Sequence, residues 1–141
     1  GLVVQNKALF PHLTVEKNIG FGIRKNQEKT KIIADLLSLF KIEHLSNKYP
    51  HEISGGEQQR TAIARSMAPG PELLMLDEPF SALDRELKEE LYAELNHIFK
   101  ERQQTIILVT HDLDEAKVLS DKQINLEKII CPMKILLFTS P

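Results

Sequence analysis

Leu73-Leu74-Met75-Leu76-Asp77-Glu78-Pro79 is the stretch on which the fold turns. Four apolar residues in a row read as a strand of a parallel sheet whose two faces are both covered. The acidic pair falls at the C-terminal end of that strand, where the ligands of α/β sheets gather. Downstream, Thr105 to Val109 repeats the pattern as a second buried strand. Between the two, Leu87, Leu91, Leu95, Ile98 and Phe99 form the apolar stripe of a long helix. Strand, helix and strand in this order predict a right-handed crossover and parallel pairing. Ser81, with Asp84 three residues on, is the expected N-cap of that helix. Asp112 and Glu115 repeat the pattern and open a last helix that reaches Leu119. Upstream, Ile33, Leu36, Leu37 and Phe40 mark one face of an amphipathic helix, and Tyr49-Pro50 closes that region. A further helix starts at Ser54, runs through Ala62, Ile63, Ala64 and Met67, and stops at Pro69-Gly70-Pro71. Leu2, Val3 and Val4 read as the end of a strand. The sequence is therefore α/β with a helical insertion.

Composition narrows the function classes. A net charge of -2 offers no basic face, and that argues against a nucleic-acid partner. With 42% hydrophobic residues the chain is not of the disordered class, and no apolar run approaches the roughly 20 residues of a membrane span. A lone cysteine, Cys131, excludes an internal disulfide and fits a reducing compartment.

Three places carry chemistry. In Ser54-Gly55-Gly56-Glu57-Gln58 a hydroxyl and two glycines stand directly ahead of a helix, so backbone N–H groups and the helix N-terminus can cradle an anion. Ser54 and Glu57 also have capping-box spacing, and both readings can hold for different groups. At Asp77-Glu78, one carboxylate suits Mg²⁺, which prefers a few hard oxygens plus water and phosphate, while the second can polarise an attacking water. The other reading is a solvated acidic turn. His111 follows the second strand as Glu78 follows the first, and parallel pairing would set it near the acidic pair. His12, His44, His51 and His97 lack such context and read as ordinary.

Taken in order, Gln5 after an apolar strand, Ser54-Gly55-Gly56-Glu57-Gln58, Leu76-Asp77-Glu78-Pro79, Ser81-Ala82-Leu83-Asp84 and His111 resemble the nucleotide-binding subunit of an ATP-binding cassette (ABC) transporter over residues 1–121. The resemblance implies a partial P-loop NTPase, RecA-like core of parallel strands with the α-helical signature subdomain of that family. It implies that Gln5 is the Q-loop glutamine, sensing Mg²⁺ and the attacking water beside the permease contact. Residues 54–58 would bind the γ-phosphate of ATP held by a partner subunit. Asp77 would hold Mg²⁺, Glu78 would be the general base, Asp84 would lie in the loop at the dimer interface, and His111 would contact the γ-phosphate. Ile53 and Glu57 depart mildly from the family's commonest signature, which has Leu and Gln there, and residues 122–141 contain no glycine where the family has a glycine-bearing hairpin.

The resemblance divides the chain into the end of a core strand and Q-loop (1–13), the helical signature subdomain (14–68), the C-terminal half of the ATPase core (69–121) and an atypical tail (122–141). Gly-x-x-x-x-Gly-Lys-[Ser/Thr], the Walker A loop, appears nowhere in the 141 residues. The expectation is the C-terminal part of a longer ATPase, with a sheet edge and apolar faces left uncovered. Ala8 to Val15 and Tyr49-Pro50-His51-Glu52 resemble importers of ferric iron, sulfate, polyamines, molybdate or sugars, with ferric iron preferred. The implied ligands are ATP and Mg²⁺. The implied partners are a second ATPase subunit, in a homodimer or heterodimer, and a membrane permease docking along Gln5 to Ile23, with no nucleic acid. The implied place is peripheral, on the cytoplasmic face of the inner or plasma membrane. The alternatives are a non-catalytic remnant of such an ATPase and a cassette ATPase outside transport.

Overall fold

The computed structural model describes residues 1–3, 9–24, 28–81, 83, 85–125 and 134–138. The chain forms two compact units, Asn6–Pro71 with Gly1, and Leu2–Gln5 with Glu72–Pro141.

The first unit is helical: α1 (Val15–Ile19), α2 (Lys29–Leu39) and α3 (Gly55–Met67). The stripe read from the sequence is its core, since Ile33, Leu36, Leu37 and Phe40 are all buried, each stabilising by about 2 kcal/mol. Gly20 lets α1 approach α2, because a Cβ there would stand 2.7 Å from Cδ1 of Ile33. Asn18 is fully buried and ties the preceding loop to α1. Its Oδ1 accepts from the Phe10 N–H at 2.8 Å, and its amide donates to the carbonyls of Phe10, Leu13 and Thr14. Those bonds tie the loop before α1 to the first turn of the helix. Tyr49 is extended ahead of Pro50, and Gly70 takes φ 67° to end the α3 region, as the proline and glycine positions predict.

The second unit is a sheet with two helices, α4 (Arg85–Glu101) and α5 (Leu113–Leu119). Its strands are β1 (Leu2–Val3), β2 (Leu73–Asp77), β3 (Thr105–Thr110), β4 (Lys122–Asn125) and β5 (Lys134–Phe138), in spatial order β1-β2-β3-β5-β4. β1, β2 and β3 run parallel, with Val3 opposite Leu76 and Asp77 opposite Val109. The long crossover helix read between the strands is α4, with Leu91, Leu95, Ile98 and Phe99 buried.

One expectation changes. The apolar run Leu73 to Leu76 is covered on one face only: Leu74 and Leu76 are buried with Ile106 and Leu108, while Leu73 and Met75 are 38% and 43% exposed. Side chains alternate along a strand, so with one face open every second residue meets solvent. The edge of β3 away from β2 is paired as well. β5, from the tail that no sequence pattern placed, lies antiparallel against it with Thr110 opposite Lys134, and β4 then pairs antiparallel with β5.

Candidate functional site

β2 ends at Asp77, whose side chain lies on the exposed face shared with Leu73 and Met75. At Glu78 the backbone turns through φ 45°, a conformation that costs a non-glycine residue about 1 kcal/mol. Three hydrogen bonds hold it there. The Glu78 N–H donates to the Val109 carbonyl at 2.9 Å, and the Glu78 carbonyl accepts from the N–H and hydroxyl of Ser81 at 3.3 and 3.0 Å. Ser81 was the expected N-cap of the next helix. Its hydroxyl closes the Glu78 turn, and Asp84, the other half of the expected cap, lies outside the described residues.

His111 follows β3. The register that sets Asp77 opposite Val109 makes both strand ends emerge at one edge of the sheet. There the backbone N–H of His111 donates to Oε1 of Glu78 at 3.0 Å, and its ring Nδ1 lies 2.7 Å from the same oxygen. The Glu78 side chain is 18% exposed and the His111 side chain 73%. The result is a half-sheltered carboxylate, held at one oxygen and open to solvent on a strained turn. Such a group can accept a proton from water.

Beneath His111 lies a polar network that no sequence pattern announced. Glu115 is 1% exposed. It accepts from the Tyr92 hydroxyl at 2.8 Å and from the Thr110 hydroxyl, and Lys88 Nζ lies 3.3 Å away. Lys88 also reaches Asp112 at 3.3 Å. Burial alone would lower the Lys88 pKa, but the charges of Glu115 and Asp112 and their hydrogen bonds outweigh it and raise it. Burial, then the Glu115 hydrogen bond and charge, push the Tyr92 phenol upward. Burial would raise the Asp112 carboxyl, yet the Asp114 N–H and Lys88 hold it below the usual range. The expected Asp112–Glu115 capping box therefore forms by half. Asp112 Oδ1 accepts from the N–H groups of Asp114 and Glu115 at 2.9 and 3.4 Å, but the Glu115 carboxylate turns inward. One signal in the sequence pointed this way. Glu115 shares a helical face with Ala116 and Leu119, both buried.

The helical unit carries the other group. Ser54 caps α3, with its hydroxyl accepting from the Glu57 N–H at 3.4 Å while Glu57 Oε2 accepts from the Ser54 N–H at 2.7 Å. The Ser54 N–H holds the Glu57 carboxyl below its ordinary range, against the opposing effect of burial. Gln58 turns back, its amide donating to the carbonyls of Pro50 and Ile53 at 2.9 and 3.2 Å. The side chains of Glu57 and Gln58 are thus engaged within their own unit, at a glycine-bearing helix start whose positive end favours an anion.

The structure thus brings Asp77, Glu78 and His111 to one sheet edge and sets Ser54, Gly55, Gly56, Glu57 and Gln58 on one helix start. Gln5 and Asp84 lie outside the described residues. Among the described residues no three His, Cys, Asp or Glu gather as a metal cage. Asp77 offers a single hard carboxylate, a donor that suits Mg²⁺ filled out by phosphate and water rather than a structural zinc. No helix among the described residues is long and apolar enough to cross a membrane.

The family model described as ABC transporter matches residues 1–81. The chain is 44% identical over 126 residues to the Fe(3+) ions import ATP-binding protein of Haemophilus influenzae, covering 86% of this chain and 36% of that protein. It is 46% identical over 124 residues to the spermidine/putrescine import ATP-binding protein of Pseudomonas fluorescens, covering 85% and 34%. It is 41% identical over 148 residues to the sulfate/thiosulfate import ATP-binding protein of Shewanella oneidensis, covering 96% and 39%. The chain thus spans little more than a third of these relatives. Among solved structures, the dimeric structure of a bacterial ABC transporter cassette superposes with a TM-score of 0.68 at 32% identity, covering 84% of this chain and 54% of that one. Its post-hydrolysis state bound to ADP and Pi gives the same values, TM-score 0.68 and 32% identity over 84% of this chain and 54% of that one.

Proposed function

Because the chain belongs to the ABC transporter family, we propose that it is part of an ATP-binding, ATP-hydrolysing subunit that drives solute import through a membrane permease. The observation that carries this is the Glu78 carboxylate presented at the sheet edge and held by His111 at 2.7 Å. Phosphoryl transfer needs positioned groups and charge neutralisation more than covalent chemistry. Glu78 accepts the proton of the attacking water. His111 orients that carboxylate through two bonds to one oxygen, and its exposed ring faces the nucleotide. Asp77 holds Mg²⁺, which when bound supplies charge neutralisation at the phosphate oxygens. The positive end of α3 and the Ser54 hydroxyl face a phosphate, with a second ATPase subunit supplying the remainder of that site. Gln5 and Asp84 complete the reading as the Mg²⁺-side glutamine and the dimer-interface aspartate. These 141 residues contain no Walker A loop.

The permease reading is supported by the segment before α1 and just after it. Phe10 and Phe21 meet with ring centroids 4.4 Å apart, Arg65 lies 5.0 Å over the Phe10 ring, and Phe21 remains 62% exposed. Such an aromatic surface suits a docking helix. Docking to a permease would place the subunit on the cytoplasmic face of the membrane. Relatives at 44%, 46% and 41% identity are named for iron, polyamine and sulfate import. Similarity to this chain therefore does not track the solute, and ferric iron stays the preference of sequence resemblance alone. The alternative reading is a non-catalytic chain with inherited motifs. Release of inorganic phosphate from Mg–ATP by the protein bearing this chain decides between them. Glu78→Gln is expected to lower that release by about 10²-fold or more. Turnover unchanged by Glu78→Gln would overturn the general-base role.

A further inference from the structure

We propose that Glu115 is a positioning residue for His111, acting through Thr110. This rests on the proposed role of the Glu78–His111 pair. The His111 ring is 73% exposed and has little packing to hold it. What fixes it is the backbone on either side. The Thr110 hydroxyl, fully buried, accepts from the Asp112 N–H at 3.0 Å and so closes a turn across His111. That hydroxyl has one proton, and it gives it to Glu115. The Glu115 carboxylate thereby sets the rotamer in which the Thr110 oxygen faces the Asp112 N–H. The same carboxylate is anchored from α4 by Tyr92 at 2.8 Å and by Lys88 at 3.3 Å. Lys88 also holds Asp112 at 3.3 Å, so the far side of the turn is tied to the same cation. A buried network with every member paired has one geometry, and that geometry presents the His111 N–H and Nδ1 to Glu78.

The test follows exchange of the His111 amide proton, which donates to Glu78, in the 141-residue chain, with the β3 amides as internal reference. Glu115→Gln gives the Thr110 hydroxyl a competing amide donor, and Thr110→Val removes the hydroxyl at constant volume. Each is expected to speed His111 exchange by about tenfold or more relative to β3. Thr110→Ser restores the hydroxyl and wild-type protection. Tyr92→Phe removes a Glu115 partner but leaves the Thr110 arm, so it lowers the unfolding midpoint without exposing the His111 amide. Unchanged His111 exchange in Thr110→Val would overturn the proposal. So would Tyr92→Phe exposing that amide as much as Thr110→Val, since Glu115 would then support only the fold. Thr110→Val decides the matter if Glu115→Gln does not fold. No nucleotide enters this measurement, so normal phosphate release in Glu78→Gln would remove the hydrolytic reading and leave this result standing.

Discussion

His111 meets Glu78 at one atom: the backbone N–H at 3.0 Å and the ring Nδ1 at 2.7 Å both converge on Oε1. Because the backbone bond needs no imidazole, His111→Ala keeps part of the restraint on Glu78. Phosphate release should fall by about 10- to 100-fold in His111→Ala. The double substitution with Glu78→Gln should cost little more than Glu78→Gln alone, as residues acting as a unit do. Losses that multiply in the double mutant would show that the two act separately.

The reciprocal cap at the start of α3 should be readable in stability. Ser54→Ala is expected to destabilise by about 1 kcal/mol, measured as a shift in the urea midpoint. Glu57 titrates below its ordinary value in the fold, so its contribution is present above the unfolded glutamate value of about 4.3 and is lost as pH falls through the folded pKa. The stability gap between wild type and Glu57→Gln should therefore be open at neutral pH and close in acid.

Lys88→Met leaves the 1%-exposed Glu115 without its cation and should cost about 3–5 kcal/mol in urea unfolding. Lys88 and Tyr92 both have raised folded pKa values, so their contribution is whole below their unfolded values and is lost as pH rises through the folded ones. Wild-type stability should decline above about pH 10, and Tyr92→Phe should flatten that decline.

Gly20→Ala puts a methyl 2.7 Å from Cδ1 of Ile33 and 2.9 Å from Cε of Lys29. The Lys29 stem can swing away, whereas the Ile33 methyl is packed in the core. A loss of about 1–3 kcal/mol is expected. Adding Ile33→Val removes the clashing methyl and should recover part of it, which thermal unfolding of the two variants would show.

Local patterns made much of this molecule legible. The α2 stripe, the Ser54–Glu57 cap and the parallel β2–β3 pair all rest on short-range rules of period and capping, and each forms as its residues suggest. The meeting of Glu78 and His111 was also readable, because parallel pairing forces two strand ends to one edge. Where sequence reasoning went astray, a distant partner decided. Glu115 looks like half of a capping box until Tyr92 and Lys88 arrive from α4. Leu73 and Met75 look like core because an apolar run does not say how many layers will cover it. The place of β5 was beyond any local rule, since an antiparallel partner for β3 could have come from any apolar run.

That strand order bears on how the sheet is completed. Within residues 1–141, β3 precedes its antiparallel partner β5 in the chain, so the Thr105–Thr110 edge is completed by a later segment than its parallel neighbour β2. Without that segment the edge offers unpaired backbone groups to any extended segment nearby. Among the described strands, β4 pairs with β5 alone. Among the described strands the spatial order therefore departs from chain order, and Lys134–Phe138 is the segment that links β4 to β3.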